Sequence, residues 1–125
     1  MRRPHETLTT QELAIMKEVW RLKRATVRDV YEALRARRRI AYTTVMTMMN
    51  ILATKGYLKK DTVDRAHRYR PARAQSAVVT SMIREFVNRV FDGASRPLLL
   101  HLMRQSGLSD NEREAIRRLI DEVEP

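Results

Sequence analysis

The chain has 125 residues, of which 43% are hydrophobic and 32% charged, and it carries a formal net charge of +10. This composition predicts a folded, soluble protein. Its length predicts one compact domain, or a small binding domain plus one further segment. It contains no cysteine, which excludes disulfides, thiolate metal sites and cysteine nucleophiles and favours a cytoplasmic location. Because no stretch approaches the roughly 20 apolar residues of a membrane span, we expect no membrane insertion. Arg2 and Arg3 are not followed by an apolar run, so we expect no signal peptide.

The positive charge is concentrated in the first part of the chain. Residues 1–73 carry 18 Lys and Arg against 7 Asp and Glu, whereas residues 74–125 carry 7 against 8. A basic region beside a neutral one predicts one module that faces a polyanion and a second module with another task.

Three helices are predicted first. The run Thr9-Thr10-Gln11-Glu12 is typical of a capping box, in which Thr9 caps the first helix and Glu12 reaches back to it. Residues 26–29 repeat this signal before a short second helix. A third helix is predicted from about Tyr42 to Lys55, with Gly56 as its left-handed C-terminal stop.

Two short segments rich in strand-forming residues come next. Residues 57–62 and 67–70 predict a β-hairpin, with residues 63–66 as its connection and Pro71 at its end. Helix, helix, helix and hairpin in this order are the layout of a winged helix-turn-helix.

The last fifty or so residues predict helices with unusually wide apolar faces. Residues 75–91 carry a broad apolar stripe, residues 92–95 interrupt it, and Pro97 and a capping box at Ser109 begin two further helices. So short a segment buries little core by itself, so we expect it to form a homodimer. The residues expected at the dimer surface are Val79, Met82, Ile83, Phe86, Val87, Val90, Phe91, Leu98, Leu99, Leu102, Leu119 and Ile120.

The third helix is the candidate DNA reader. An α-helix fits the major groove, Thr can bond to a base and pack its methyl group on thymine, and Asn suits adenine. An ordinary solvated helix face carries similar residues, so the interpretation also depends on the basic segments at either side. The residues expected to contact bases are Thr43, Thr44, Met46, Thr47 and Asn50.

Cationic side chains flank this helix in the chain. Contacts with phosphate supply salt-dependent affinity and position the protein without reading sequence. Arg65, at the hairpin tip, is the one expected to reach the DNA backbone or the minor groove. The candidates for phosphate contacts are Arg37, Arg38, Arg39, Tyr42, Lys55, Lys59, Lys60, Arg65, Arg68 and Arg70.

Little in the sequence supports an enzymatic function. Asp61, Asp64 and His67 could be drawn as metal ligands on the hairpin, but a polar turn is the simpler interpretation. There is no glycine loop for phosphate and no nucleophile-base pair, so we expect no catalysis and no cofactor.

These residues resemble a known family, the penicillinase repressors (BlaI/MecI type). The resemblance is strong over residues 8–73, through Thr26-Val27-Arg28-Asp29-Val30, residues 41–50, Lys55-Gly56-Tyr57-Leu58 and residues 64–71, and looser from Val90-Phe91-Asp92-Gly93 onward. It implies a homodimer that binds a palindromic operator and represses transcription, often of antibiotic-resistance genes. It also implies that Thr44 and Thr47 read bases, with Thr43 near them.

With this resemblance the chain divides into a flexible tail (1–7), a winged helix DNA-binding domain (8–73) and a helical dimerisation domain (74–125). The family usually has Arg where this chain has Ile51. In staphylococcal members a membrane sensor-protease system cuts an Asn-Phe bond, which corresponds by position to His101-Leu102 here and does not transfer directly. Two alternatives stay open: a winged helix that docks another protein, and a regulator that binds a ligand directly.

Overall fold

The structure is a computed structural model that describes residues 7–123. Within them, the element order is α1 (Thr10–Leu22), α2 (Val27–Arg35), α3 (Tyr42–Thr54), β1 (Leu58–Val63), β2 (Ala66–Pro71), α4 (Gln75–Phe91), α5 (Ser95–Met103) and α6 (Asp110–Glu122). This order confirms the mainly α class and the winged helix-turn-helix followed by helices. The predicted flexible tail, apart from Thr7, lies outside the described residues.

Contacts divide the chain into two compact units, of which the first ends at Val79 and the second begins at Thr80. The division therefore falls inside α4 rather than in a loop. No helix of residues 7–123 has the length and apolar character that crossing a membrane requires.

The core of the first unit lies between α1, α2 and α3, which contact one another pairwise. Each helix turns one apolar face inward, because residues three and four apart lie on the same side of a helix. The fully buried side chains are Ile15, Met16 and Val19 of α1, Val30 and Leu34 of α2, and Val45, Met49 and Leu52 of α3.

Three helices begin with the predicted capping boxes. The Thr9 hydroxyl accepts a hydrogen bond from the backbone N–H of Glu12 (3.1 Å), and the Glu12 carboxylate accepts one from the N–H of Thr9 (2.9 Å). The same reciprocal pair forms between Thr26 and Asp29, and between Ser109 and Glu112. Each box satisfies backbone donors that the first turn of a helix leaves unpaired.

The wing is a two-stranded antiparallel hairpin whose turn is shorter than predicted. Val63 and Ala66 pair with each other, which leaves only Asp64 and Arg65 in the turn, and Pro71 lies within β2, paired with Leu58. Both turn residues have positive φ, 50° and 68°, as a type I′ hairpin turn requires. Its right-handed twist matches that of the strands, so the turn forms even without glycine.

The wing is fastened to the helices by its second strand. Ala25, between α1 and α2, exchanges two backbone hydrogen bonds with Tyr69 (2.8 and 2.9 Å). The rings of Tyr57 and Tyr69 are buried. The indole N–H of Trp20 donates to the carbonyl of Arg73, just beyond the wing (3.0 Å).

In the second unit, α5 packs against α6. Arg96 donates to the carbonyl of Ile120 at 3.0 Å, and Arg113 donates to the carbonyls of Met103 and Gln105 at 2.6 and 3.1 Å. These bonds satisfy carbonyls at the ends of both helices.

Two residues of the predicted dimer surface are buried within their own chain. Val87 is 8% exposed and Ile120 is 9% exposed, so they stabilise the protomer and offer little surface to a partner. Six others, namely Val79, Ile83, Phe86, Val90, Leu102 and Leu119, are exposed, and Met82, Phe91, Leu98 and Leu99 are half-buried.

Candidate nucleic-acid interface

The outer face of α3 carries the predicted base-reading residues. Thr43, Met46, Thr47 and Asn50 are exposed, and Thr44 is half-buried. The opposite face is fixed in the core by Val45, Met49 and Leu52. The helix is thus held from behind by packed side chains and presents small, mostly polar residues outward.

Asn50 is less free than its position in the sequence indicates. Its Oδ1 accepts a hydrogen bond from the hydroxyl of Tyr69 in β2, at 2.8 Å. Its amide nitrogen and the second lone pair of Oδ1 remain for a base. The same bond joins the end of α3 to the wing, so that these two candidate DNA-contacting elements are held in one geometry.

Lys55, predicted to bind phosphate, has a partner inside the protein instead. Its ammonium group donates to both carboxylate oxygens of Glu12, at 3.0 and 3.3 Å. Glu12 is buried in α1, where an uncompensated carboxylate would be costly. Lys55 therefore links the C-terminal end of α3 to α1, and its contact with phosphate stays a prediction.

Arg37, another predicted phosphate contact, also has a partner in α1. Its guanidinium donates to Glu18, a second buried carboxylate of α1, whose other oxygen accepts from Arg21 at 2.7 Å. The contact holds the loop between α2 and α3. The sequence contained a signal for both contacts: Glu12 and Glu18 lie beside the buried positions of α1, and buried acids need cationic partners.

The Glu12–Lys55 pair predicts a pH-dependent stability. Burial raises the pKa of Glu12, but hydrogen bonds from Thr9 and the Lys55 ammonium outweigh this effect and hold the pKa below its ordinary value of 4.5. A lowered pKa in the folded state stabilises the protein above pH 4.5 and loses this contribution as the pH falls through the lowered value.

We expect Glu12→Gln to lower the free energy of unfolding by about 1 kcal/mol at pH 7, because a neutral amide loses the ion pair with Lys55. Urea unfolding at pH 7 and in steps below pH 4.5 measures this difference. The difference in the free energy of unfolding between wild type and Glu12→Gln should shrink as the pH falls. A difference that stays constant would contradict the assigned ion pair.

The remaining cations flank α3 and are exposed. Arg38 and Arg39 lie in the loop before α3, and Lys59, Arg65 and Arg68 lie on the wing. None of the five forms a salt bridge within residues 7–123. Their charges are therefore available to a polyanion.

Three other phosphate candidates have contacts within the protein. Lys60 lies over the ring of Tyr69, with its Nζ 5.6 Å from the ring centre. Arg70 is paired with Asp61 at 3.0 Å. Tyr42 has its ring edge against Tyr31 and the guanidinium of Arg28 over its face. These contacts make the three side chains weaker candidates than the five unpaired cations.

The hairpin residues that could be drawn as metal ligands also have other partners. Asp61 accepts from Arg70, and the Nδ1 of His67 lies 3.0 Å from the Thr62 hydroxyl. Across residues 7–123, no three His, Asp or Glu side chains come together as a metal site would require.

A winged helix-turn-helix with an outward polar α3 and unpaired cations on both sides defines the class of winged helix DNA-binding regulators. The family model described as "Penicillinase repressor" matches residues 8–122. The chain belongs to this family, which confirms the resemblance seen in the sequence.

Named relatives agree with this assignment. The chain is 39% identical to the "Transcriptional regulator BlaI" of Mycobacterium tuberculosis strain H37Rv, over 90% of this chain and 82% of the relative. It is 24% identical to the "Penicillinase repressor" of Bacillus licheniformis, over 92% and 90%. It is 21% identical to the "Methicillin resistance regulatory protein MecI" of Staphylococcus aureus strain N315, over 91% and 93%. These names confirm the predicted class, a transcriptional repressor that binds DNA.

A solved structure supports the fold. The chain superposes on Bordetella bronchiseptica BpsR with a TM-score of 0.52 and 18% identity, covering 92% of this chain and 74% of that one. The study of BpsR concerns regulation of its DNA binding by 6-hydroxynicotinic acid. At this identity the similarity extends to the fold alone.

Proposed function

We propose that two copies of this chain bind a palindromic operator, with one α3 in each of two successive major grooves, and repress β-lactam-resistance genes. The observation that carries the proposal is the outward face of α3, polar and exposed, with unpaired cations on both sides and a packed core behind it. The resistance genes as targets are supported by the names of the relatives.

The wing turn supports a contact between Arg65 and the DNA. Arg65 has a φ of 68°, a left-handed conformation that costs a residue with a Cβ atom about 1 to 2 kcal/mol. Gly or Asn would form the same turn with less strain. An Arg at this exposed tip is therefore better explained by its guanidinium than by its backbone.

An exposed apolar stripe on α4 supports homodimerisation. Val79, Ile83, Phe86 and Val90 are spaced by four, three and four residues, the spacing of a coiled-coil seam. Ile83 and Val90 are 54% and 50% exposed in the single chain. A second copy presents the same stripe, and two-fold pairing would cover both at once.

Selection from a pool of random-sequence duplexes tests the proposal. We expect the full chain to enrich an inverted repeat whose half-site centres lie about one helical turn apart, ~34 Å. A winged helix that docks another protein would enrich no sequence. A regulator that binds a ligand directly would enrich one and then release it when that ligand is added.

We expect Arg65→Gln and Arg68→Gln each to reduce the slope of log Kd against log salt by about 0.9, because each removes one released counterion. Fluorescence anisotropy with a selected duplex at several salt concentrations measures the slope. Lys17→Gln is the matched control, since Lys17 is an exposed cation of α1 outside the proposed interface. An unchanged slope in both wing variants would remove the wing from the interface.

We propose that the protein acts in the cytoplasm and has no catalytic role. Proteolytic inactivation by a membrane sensor-protease system is not part of this proposal. His101 and Leu102 are exposed but lie inside α5, and the ring of His101 packs at 6.3 Å from that of Phe91. Cleavage between them would first require α5 to unwind.

A further inference from the structure

The outer face of α3 contains an exposed apolar side chain whose role the general proposal does not explain. Ile51 is 42% exposed, on a face otherwise formed mainly by threonines. It follows Thr47 by four residues, as Thr47 follows Thr43, so the three form one line along the helix. A branched apolar side chain at this place gains free energy only when a partner covers it.

The surface around Ile51 has the shape of a ridge between two depressions. One shallow depression is lined by Thr47, Asn50, Ile51, Thr54 and Lys55. The other is lined by Thr43, Thr44, Thr47, Met48 and Ile51. Thr47 and Ile51 border both, so they are the side chains that project between them.

We infer that Ile51 is a specificity-determining residue that contacts the 5-methyl group of a thymine, in line with the methyl groups of Thr47 and Thr43. This inference rests on the proposed placement of α3 in the major groove. Thymine is the base that presents a methyl group there, whereas guanine, cytosine and adenine present polar atoms. An isoleucine cannot bond to those atoms and would leave them dehydrated without a partner.

The spacing of the line predicts the spacing of the thymines. A zinc-finger helix in the major groove contacts three successive bases with residues spaced by three or four. Thr43, Thr47 and Ile51 have nearly the same spacing, so we expect them to lie opposite successive base pairs. The unpaired Arg38, Arg39 and Arg68 around α3 provide the charge complementarity that identifies duplex DNA as the occupant of this face.

Replacing thymine by deoxyuridine tests the inference, because this change removes only the methyl group. The probe is the tightest duplex from the random pool, with each thymine of one half-site replaced in turn. We expect the wild-type protein to lose about fourfold in affinity at the thymine opposite Ile51. We expect Ile51→Ala to bind the duplexes with thymine and with deoxyuridine at that position equally well. The same variant should still lose affinity when deoxyuridine replaces the thymine opposite Thr47.

A second variant tests the same contact by gain of specificity. Ile51→Arg should change the preference at that one position from thymine to guanine by about 5- to 150-fold, because Arg bonds to O6 and N7 of guanine. Since Ile51 is exposed, both variants should keep the wild-type thermal melting curve.

Two results would overturn the inference: a wild-type protein indifferent to every deoxyuridine, or equal losses in wild type and Ile51→Ala at every position. Failure of the general proposal looks different, since no duplex would then be enriched from the pool.

Discussion

The double substitution Ile83→Glu with Val90→Glu is expected to yield a monomer whose operator affinity is at least about a hundredfold weaker. In a dimer the second α3 meets its half-site at a high effective concentration, and this advantage, about 10²- to 10⁴-fold, is lost when the copies separate. Both side chains belong to the exposed α4 stripe and are its two most exposed members. Paired stripes would bring four carboxylates into an apolar contact, where each would lack a partner.

Sedimentation measures the assembly state of this variant, and titration of a selected duplex measures its affinity. Ser81→Glu with Asn88→Glu is the matched control, because it adds the same charge at the same spacing to exposed positions on the opposite side of α4. The control should remain a dimer with near wild-type affinity. A dimeric Ile83/Val90 variant that binds the operator normally would rule out α4 as the dimer seam.

Thr47→Glu is expected to abolish specific binding while the dimer stays intact. Thr47 is exposed in the middle of the outer face of α3. A carboxylate placed there would meet phosphates of its own sign and base-edge acceptors that it cannot satisfy. We expect a loss of at least about a hundredfold, the sum of repulsion and a lost base contact worth 1 to 3 kcal/mol.

The control for charge alone is Thr80→Glu, at an exposed threonine of α4 away from the apolar stripe. It should keep wild-type affinity, so that only the place of the carboxylate differs. Competition between the selected duplex and an unrelated duplex reports the loss of specificity directly. If Thr47→Glu still prefers the selected duplex by the wild-type factor, another element reads the bases.

Most of the fold could be predicted because its signals are local. A capping box involves residues three apart, so Thr9, Thr26 and Ser109 marked helix starts that the structure reproduces. The apolar periodicity of α3 predicted which side is buried, hence which side carries Thr43 and Thr47. The hairpin turn is shorter than the predicted 63–66, because Val63 and Ala66 pair across the two strands.

The candidate site was predicted in part. Its exposed threonines and its loop and wing cations follow from periodicity and charge. The ion pairs of Arg37 and Lys55 could not be predicted, because their partners in α1 lie 19 and 43 residues away. The bond between Tyr69 and Asn50, 19 residues apart, escaped prediction for the same reason.

The amino-acid sequence by itself determined the order of the elements, the family, the buried side of each winged helix segment and the basic character of its surface. These properties depend on neighbours within one helical turn or on composition. Only the tertiary structure decided which cations are neutralised by buried carboxylates and which apolar residues remain uncovered, such as Ile83 and Val90 rather than Val87. The physical reason is that burial and ion pairing depend on which side chains the other elements place opposite a residue. The order of residues along the chain does not give the distances in space between those side chains.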